Sequence, residues 1–463
     1  MNGATGRGPA YRRWLAGKTV AVVGLAKSGV AAARLVRRVG GRVLASDAAD
    51  KSALSPEARG LELEGCQLWT GGHPDEAFAG AELVVVSPGV PLTLPALTRT
   101  RARGIAIIGE LELAWRAMEA DVIAITGTNG KTTTTALVGE LLRAQVRPVL
   151  VGGNIGTPLS DEALDFPADG IAVAEVSSFQ LESTALFRPR VAAVLNITPD
   201  HLDRHGSVAR YVDAKARILA NQTQADCAVL NADDPGSASL APRVRGQLFW
   251  TSRLRRDRPG VFVEDGWIAA RLNGSAERIC PVGDISLRGQ HNVENVLVAA
   301  ACALWTGMAP AAIRRGIAGF KGVAHRIERV TDAGGVAYYN DSKGTNVDST
   351  IKALESFAEP IVLIAGGKGK GQDFSPLGDA ARGRVRHAIL IGVDRGRLRE
   401  PLERAGASVE EAPSMEDAVA AARSAARPGD VVLLSPACAS FDMFQNFEHR
   451  GDVFRAMVLR LVG

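Results

Sequence analysis

The sequence predicts an α/β protein in which mostly parallel sheets are flanked by helices. Short apolar, β-branched runs alternate with helical patterns along almost all of the 463 residues, which is typical of βαβ units. At roughly 150 residues a domain, the length suggests about three domains. The 50 glycines exceed the usual share of ~7% and suit many tight turns between strands and helices.

The alternation of elements falls into three groups, which we place at residues 1–119, 120–324 and 325–463. Strands are expected at 19–23, 42–46 and 83–87, then 122–126, 149–152, 171–176 and 191–197, and finally 361–365, 388–392 and 431–435. Helices are expected at 29–39, 131–143 and 208–220. The stretch 246–290 interrupts the alternation, and we expect it to add antiparallel strands.

Composition excludes several classes of protein. With 54 Lys+Arg against 50 Asp+Glu, the net charge of +4 argues against a nucleic-acid partner. The five cysteines are scattered without a C-x-x-C pair, which indicates reduced thiols rather than a disulfide framework or a zinc site. The uncharged stretch 295–313 contains Gly307 and Pro310, so a buried helix is favoured over a membrane span. No signal-peptide pattern is visible, and we expect a cytoplasmic protein.

The first strand ends in a glycine-containing loop, Gly24-Leu25-Ala26-Lys27-Ser28-Gly29. With Asp47 after the second strand, this loop is similar to the dinucleotide fingerprint G-x-G-x-x-G and its acidic partner. Ala26 replaces the middle glycine, where a pyrophosphate comes closest to the backbone. This departure argues against NAD, whereas a nucleotide diphosphate at this helix end is compatible with it. Ser87-Pro88-Gly89 is either a second phosphate-contacting turn or a plain turn.

The sharpest motif follows the first strand of the central group. Gly127-Thr128-Asn129-Gly130-Lys131-Thr132-Thr133 lies between a strand and a helix, where backbone N–H groups and a helix N-terminus can hold phosphates. Lys131 would reach the β- and γ-phosphates, and the Thr132 hydroxyl would bind Mg²⁺. The loop is shortened, because Ile125 stands where the general P-loop has its first glycine.

Three more polar residues in the central group are candidates for the same site. Glu175 ends a predicted strand, where it is either a metal ligand or an ordinary surface residue. His201 also follows a strand, within Asp200-His201-Leu202-Asp203, and its place beside the phosphate strand strengthens a weak signal. Lys215 lies on the predicted helix 208–220, and taken alone it indicates a solvent-facing charge.

Taken in order, these motifs resemble the Mur ligase family. The resemblance extends through Gly289–Asn295 (G-Q-H-N-V-E-N) and His325-Arg326, and so covers essentially the whole chain. Two carboxyl-terminal runs, Asn340–Asn346 and Leu434–Asp442, resemble the branch of the family that adds D-glutamate. The chain has no D-N-P-R run of the kind associated with diaminopimelate addition.

The resemblance implies a Mur ligase architecture of three domains. It consists of a Rossmann-like domain for the UDP moiety, a central P-loop ATPase-like domain and a Rossmann-like domain for the amino acid. The implied reaction uses ATP to convert a carboxylate into an acyl phosphate, from which an amine displaces phosphate. The implied cofactors are two Mg²⁺ ions and a carbamate, derived from CO₂, on Lys215. We expect a monomer with small-molecule substrates.

The resemblance also assigns roles to individual residues. Those for the UDP-substrate are Lys27, Ser28, Asp47, Ser87 and Asn154. Those for ATP are Gly127, Thr128, Asn129, Gly130, Lys131, Thr132, Thr133, Asn292, Asn295, Arg326 and Asp341. The implied metal ligands are Thr132, Glu175, His201 and Lys215. The implied D-glutamate residues are Lys343, Thr345, Lys370, Ser440, Phe441 and Phe447, with Lys368 as an alternative to Lys370. The catalytic set is Lys131, Glu175, His201, Lys215, Arg326 and Lys343.

Other functions are compatible with parts of the sequence. A P-loop switch or regulatory NTPase accounts for the central group only, and that group lacks the guanine-specific N-K-x-D signature. An NAD-dependent oxidoreductase built on residues 24–29 leaves residues 127–133 unexplained. Within the family, enzymes that add another amino acid and the related folylpolyglutamate synthetases are the nearest alternatives.

Overall fold

The computed structural model describes residues 6–145, 147–271, 276–369 and 371–462. The chain forms two compact units. The first unit comprises residues 1–284 and 294–318, and the second comprises residues 285–293 and 319–463. Strands alternate with helices throughout, so the predicted α/β class is confirmed.

The first sheet of the first unit is entirely parallel, with strand order β3-β2-β1-β4-β5. Its strands are β1 (Thr19–Val23), β2 (Arg42–Ser46), β3 (Gln67–Trp69), β4 (Leu83–Val86) and β5 (Ala106–Gly109). Because β1 lies between β2 and β4, the direction of the crossovers reverses at β1, and the loops after β1 and β4 meet at one edge.

The second sheet has nine strands in the order β14-β13-β12-β11-β10-β9-β6-β8-β7. They are β6 (Asp121–Thr126), β7 (Val149–Gly153), β8 (Ile171–Glu175), β9 (Val191–Val194), β10 (Cys227–Asn231), β11 (Gln247–Ser252), β12 (Gly260–Glu264), β13 (Trp267–Arg271) and β14 (Ala276–Pro281). The expected antiparallel strands are present as β12, β13 and β14. In contrast, β11 pairs in parallel with both of its neighbours.

The helices described up to residue 319 precede, separate or follow these strands along the chain. They are α1 (Pro9–Leu15), α2 (Lys27–Arg38), α3 (Pro56–Gly60), α4 (Pro95–Ala102), α5 (Glu110–Ala117), α6 (Lys131–Arg143), α7 (Leu159–Glu162), α8 (Ser178–Glu182), α9 (Leu202–His205), α10 (Val208–Ala216), α11 (Pro235–Ala238), α12 (Gln290–Trp305) and α13 (Pro310–Gly319). The predicted helix 208–220 is α10 followed by one 3₁₀ turn.

Two of these helices bear on the sequence predictions. The apolar stretch expected to be a buried helix lies largely in α12, where residues 296–303 are all buried. No helix in the described part of the chain combines the length and apolar character needed to cross a bilayer. Helix α1 was not predicted. Arg12 on this helix donates to the carbonyls of Ala117 and Ala163 at 2.7 and 3.2 Å, and thereby ties the chain start to two later segments.

The second unit contains a six-stranded sheet of order β15-β16-β20-β17-β18-β19. Its strands are β15 (Glu328–Ala333), β16 (Val336–Asn340), β17 (Ile361–Gly366), β18 (Val385–Ile391), β19 (Ser408–Glu411) and β20 (Val431–Leu434). All pairs are parallel except β15 with β16. Apolar side chains cover both faces, with α14 (Val347–Leu354), α15 (Ser375–Ala381), α16 (Arg395–Arg404), α17 (Met415–Ala425) and α18 (Phe447–Val462).

Candidate active site

The phosphate-type loop lies at the carboxyl ends of three adjacent parallel strands. It follows β6, which pairs with β8 on one side and β9 on the other. The backbone N–H groups of Thr128 and Asn129 donate to the main-chain and side-chain oxygens of Asn196 at 2.9 and 2.8 Å. Gly130 has a φ of 82° immediately before α6, a conformation that favours glycine. The segment after β9 therefore fixes the loop in place immediately before α6.

Two lysines of the site share one carbonyl oxygen. Lys131 Nζ lies 2.9 Å and Lys215 Nζ 2.8 Å from the oxygen of Gly127. Lys215 is only 1% exposed, so the interpretation of this residue as a solvent-facing charge is wrong. Burial, together with the charge of Lys131, lowers the pKa of Lys215 well below its ordinary value, although Asp200 and Glu175 act in the opposite direction. Lys215 of α10 thus forms a direct hydrogen bond with the phosphate loop.

Glu175 is buried beside the first turn of α6. Its carboxylate accepts from the Thr132 hydroxyl at 2.8 Å and from the Asn154 amide at 2.9 Å. It is therefore part of the site and not an ordinary surface residue. Carboxylate and hydroxyl oxygens are the ligands that Mg²⁺ prefers, so these residues fit the expected metal. In the ranges that the structure describes, no group of three or more His, Cys, Asp and Glu side chains forms a metal cluster.

His201 lies in the segment after β9, where its φ of 51° is in the left-handed region. Its ring packs edge-on against Phe179, with centroids 4.9 Å apart. Its Nε2 lies 3.6 Å from Asp200 Oδ2. A left-handed histidine costs backbone energy of order 1–3 kcal/mol, which the surrounding contacts must offset.

Tyr211 belongs to this site but was missed by the sequence analysis. Its hydroxyl lies 3.1 Å from the Thr128 hydroxyl, and its ring centroid lies 4.7 Å from Lys215 Nζ. Burial raises the pKa of Tyr211, which keeps the phenol neutral. The available signal was its spacing, because residues four apart on a helix share a face.

The loop after β1 is held by the two side chains predicted beside it. The Ser87 hydroxyl donates to the oxygen of Gly24 at 2.7 Å. Asp47 accepts from the backbone N–H groups of Leu25 and Ala49 at 2.6 and 2.8 Å. Cavities of about 490 and 720 Å³ border this loop. Lys27 lines both, Ser28 and Ser87 line the smaller, and Asp47 lines the larger.

The remaining residues expected to bind ATP belong to both units. In the first unit, Asn295 accepts from the Thr134 hydroxyl at 3.2 Å, beside the phosphate loop. In the second unit, the Asn292 amide donates to the oxygen of Arg288 at 2.6 Å. Arg326 also lies in the second unit, and its charge acts on the buried carboxyl of Asp341.

Asp341 follows β16, and its partner Ser435 follows the neighbouring strand β20. The Ser435 hydroxyl donates to Asp341 Oδ2 at 2.7 Å. Burial raises the pKa of Asp341 to about 7, although Ser435 and Arg326 oppose the rise. The order of this sheet therefore brings the two carboxyl-terminal motifs together.

Most of the residues predicted for D-glutamate also lie at this edge of the sheet. Lys343 Nζ stands 3.8 Å above the centroid of the Phe447 ring, and the Thr345 N–H donates to the oxygen of Lys343 at 2.8 Å. The Ser440 hydroxyl is buried, and it has no hydrogen-bond partner among the described residues. Phe441 is 72% exposed. Lys370 lies outside the described residues.

Arg450, which the sequence analysis did not single out, connects these motifs. Its guanidinium is buried and donates to the hydroxyl and the carbonyl of Ser342 at 3.0 and 2.8 Å, and to the oxygen of Cys438 at 3.1 Å. Burial lowers its pKa to about 10. A lone arginine on a helix gives no signal of such a role in the sequence.

Models of known protein families match three successive parts of the chain. Residues 18–109 match the family described as Mur ligase MurD-like, N-terminal domain. Residues 125–303 match the Mur ligase middle domain, and residues 325–438 match the Mur ligase, glutamate ligase domain. The chain belongs to the Mur ligase family.

Two relatives within the Mur ligase family illustrate the similarity. Both are called UDP-N-acetylmuramoylalanine--D-glutamate ligase. The protein from Pelotomaculum thermopropionicum (strain DSM 13744 / JCM 10971 / SI) is 47% identical, over 96% of this chain and 98% of the relative. The protein from Acidobacterium capsulatum is 48% identical, over 96% of this chain and 97% of the relative.

Solved Mur ligase structures share the fold. UDP-N-acetylmuramate-alanine ligase MurC from Thermotoga maritima aligns with a TM-score of 0.60 at 20% identity, over 96% of this chain and 99% of that one. A pseudomurein peptide ligase type C from Methanothermus fervidus aligns with a TM-score of 0.60 at 20% identity, over 96% of this chain and 100% of that one. The predicted Mur ligase architecture is confirmed.

Proposed function

We propose that this Mur ligase adds D-glutamate to UDP-N-acetylmuramoyl-L-alanine with hydrolysis of ATP to ADP and phosphate. The observation that carries the proposal is the identity of 47% and 48%, over almost the full length, to relatives named for that reaction. The reaction would serve peptidoglycan precursor synthesis, and hence cell shape and division, in the cytoplasm.

The chemistry needs charge neutralisation more than covalent help. A carboxylate oxygen of the alanyl group attacks the γ-phosphorus, the bond to the β-phosphate oxygen breaks, and ADP leaves. The amine nitrogen of D-glutamate then attacks the acyl carbon, phosphate leaves, and the nitrogen loses a proton. Lys131 and Arg326 would balance the charge of the transferring group. Asp341, Asn292 and Asn295 would hold the nucleotide.

The metal proposal rests on the donor set of the central site. Thr132 and Glu175 offer hard oxygen donors 2.8 Å apart, and His201 and a modified Lys215 would complete the ligands for two Mg²⁺ ions. When bound, Mg²⁺ neutralises phosphate charge during transfer. Asn154 orients the Glu175 carboxylate through its hydrogen bond of 2.9 Å.

We also place a carbamate on Lys215. A neutral lysine amine can attack the carbon of CO₂, lose one proton and become an anion that behaves as a carboxylate. Burial and the Lys131 charge both favour the neutral amine, because they lower the pKa of Lys215. The modification would also place a negative charge beside the Lys131 cation.

The second unit supports the choice of amino acid. Lys343, Thr345, Ser440 and Lys370 offer cations and hydroxyls suited to two carboxylates, and Phe441 and Phe447 would complete the site. A site built to pair a carboxylate rejects an analogue that lacks one, because its polar groups are left unpaired. In the first unit, Lys27, Ser28, Asp47 and Ser87 would hold the UDP moiety.

Phosphate release measured with a panel of amino acids tests the proposal. With UDP-N-acetylmuramoyl-L-alanine and ATP, D-glutamate should give the fastest release, and omission of either substrate should abolish it. Faster release with L-alanine or a diamino acid and its matching UDP-muramyl substrate would contradict the assignment. ATP hydrolysis that needs neither substrate would indicate a regulatory NTPase.

A pair of lysine variants links this assay to the proposed site. Lys343→Met should raise the KM for D-glutamate while leaving the KM for ATP unchanged. Lys352→Met is the matched control, because Lys352 forms a surface ion pair with Glu355 at 3.1 Å. Surface pairs of this kind contribute about 0–1 kcal/mol, so the control should behave as wild type.

A further inference from the structure

Near His201, an ion-pair contact and a hydrogen bond link the side chains of Glu182, His205 and Ser178. Glu182 Oε1 lies 3.1 Å from His205 Nδ1, and His205 Nε2 lies 3.0 Å from the Ser178 hydroxyl. Ser178 and His205 are buried. Glu182 and Ser178 are the last and first residues of α8, whereas His205 ends α9. These three side chains, here called the relay, thus connect the two short helices.

The partners of His205 determine which of its two ring nitrogens carries the proton. The second oxygen of Glu182 accepts from Arg204 at 2.9 Å, which holds the carboxylate in place as an acceptor. Nδ1 of His205 lies 3.1 Å from this carboxylate and is expected to carry the proton, because a carboxylate offers none. Burial lowers the pKa of His205, although Glu182 acts in the opposite direction; this favours the neutral ring, in which Nε2 accepts the hydrogen of Ser178. One tautomer is selected.

The ring of Phe179 packs against both histidines. The centroid of Phe179 is 4.9 Å from that of His201 and 5.5 Å from that of His205. The Arg204 guanidinium lies 5.0 Å from the same ring. A shift of α8 against α9 would therefore move the surface against which the His201 imidazole packs.

We propose that Glu182, His205 and Ser178 are positioning residues that fix the orientation of the His201 imidazole through Phe179. None of the three needs to touch substrate. The consequence for catalysis rests on the proposed function, which gives His201 its role at the metal. The fixed ring would let a left-handed, partly exposed histidine present one nitrogen reproducibly.

Kinetics of His205 variants test the consequence for the reaction. Loss of a group that orients a ligand typically costs roughly 10–100-fold in activity or metal affinity, and we expect a loss of this size in kcat or Mg²⁺ dependence for His205→Ala. The KM for ATP should be unchanged. His205→Asn should recover part of the loss, because its amide can donate to Glu182 from the position of Nδ1. His387→Ala is the control, since His387 lies on β18 of the second unit.

Nitrogen-15 NMR of histidine-labelled protein tests the relay without any assay of activity. The resonances of His205, assigned by their loss in His205→Asn, should show a neutral ring protonated at Nδ1. The Hε1 resonance of His201, assigned by its loss in His201→Asn, should shift in His205→Ala and not in His387→Ala.

The outcomes separate the relay from the proposed function. A His205 ring protonated at Nε2, or an unmoved His201 resonance in a folded His205→Ala protein, would overturn the relay. Wild-type kinetics of His205→Ala would overturn its role in the reaction. Absence of ligation by the wild-type enzyme would instead refute the proposed function and leave the NMR result valid.

Discussion

Replacement of Glu110 by glutamine should change the free energy of unfolding more favourably at alkaline pH than at acidic pH. Glu110 is the first residue of α5 and is 1% exposed. One carboxyl oxygen accepts from the Ser160 N–H at 2.8 Å, while the other is buried without a hydrogen-bond partner among the described residues. Burial raises the pKa of this carboxyl from 4.5 to about 7.

The size of the effect follows from this pKa. At about 1.4 kcal/mol per pH step, the rise corresponds to about 3 kcal/mol between the two protonation states. Below pH 4.5 the carboxyl is protonated in both the folded and the unfolded chain. Between pH 4.5 and about 7 only the folded state keeps the proton, so the free energy of unfolding falls as pH rises. Above that range the full penalty applies.

Urea unfolding of wild type and Glu110→Gln at about pH 5 and about pH 8.5 measures the effect. The buried amide of the variant adds an unpaired donor, which costs about 1–3 kcal/mol at every pH. The informative quantity is therefore the difference in the free energy of unfolding between variant and wild type. Between the two pH values, this difference should change by about 2–3 kcal/mol. Glu76→Gln, at an exposed position, is the control. An equal difference at both pH values would refute the reasoning.

Three further predictions concern the phosphate loop, the buried lysine and the chain start. Lys131→Ala should abolish ligation, since a lost phosphate clamp costs several kcal/mol, yet calorimetry should show nearly unchanged UDP-substrate affinity; equal loss of affinity would contradict this. Lys215→Ala should be nearly inactive and partly restored by a short carboxylate, and Lys215→Arg should also fail because arginine keeps its charge; a fully active arginine variant would exclude the carbamate. Arg12→Ala should lower the free energy of unfolding by about 1–3 kcal/mol through two lost hydrogen bonds, whereas Arg13→Ala, at an exposed position, should not.

The sequence predicted local structure well because the local signals are strong. The bounds predicted for β1, β2 and α6 agree with the structure residue for residue, since apolar β-branched runs and a glycine before a helix leave few alternatives. The rule that parallel strands end on one side of a sheet also predicted at which sheet edges the site residues lie.

Partners distant in the chain could not be derived in this way. Nothing in the pattern around Glu182 or His205 indicates that they contact each other, because each residue is unremarkable on its own short helix. The same holds for Arg450, whose guanidinium reaches Ser342 only after the sheet has formed. The boundaries 1–119, 120–324 and 325–463 and the individual ligand assignments stay predictions.

The shared carbonyl of Gly127 explains why an anion should bind here. Two lysine nitrogens at 2.8 and 2.9 Å from one oxygen cannot be farther apart than about 5.7 Å. At an effective dielectric constant of about 20, two unit charges at that distance repel by about 3 kcal/mol. A carbamate on Lys215 would change the sign of its interaction with Lys131, and Mg²⁺ at the proposed site would attract both this carbamate and the phosphates of ATP. With Mg²⁺ present, the nucleotide and the modification should therefore favour each other, so ATP should bind more weakly when CO₂ is removed. Isothermal titration with Mg²⁺ in CO₂-depleted and bicarbonate-supplemented buffers measures this coupling.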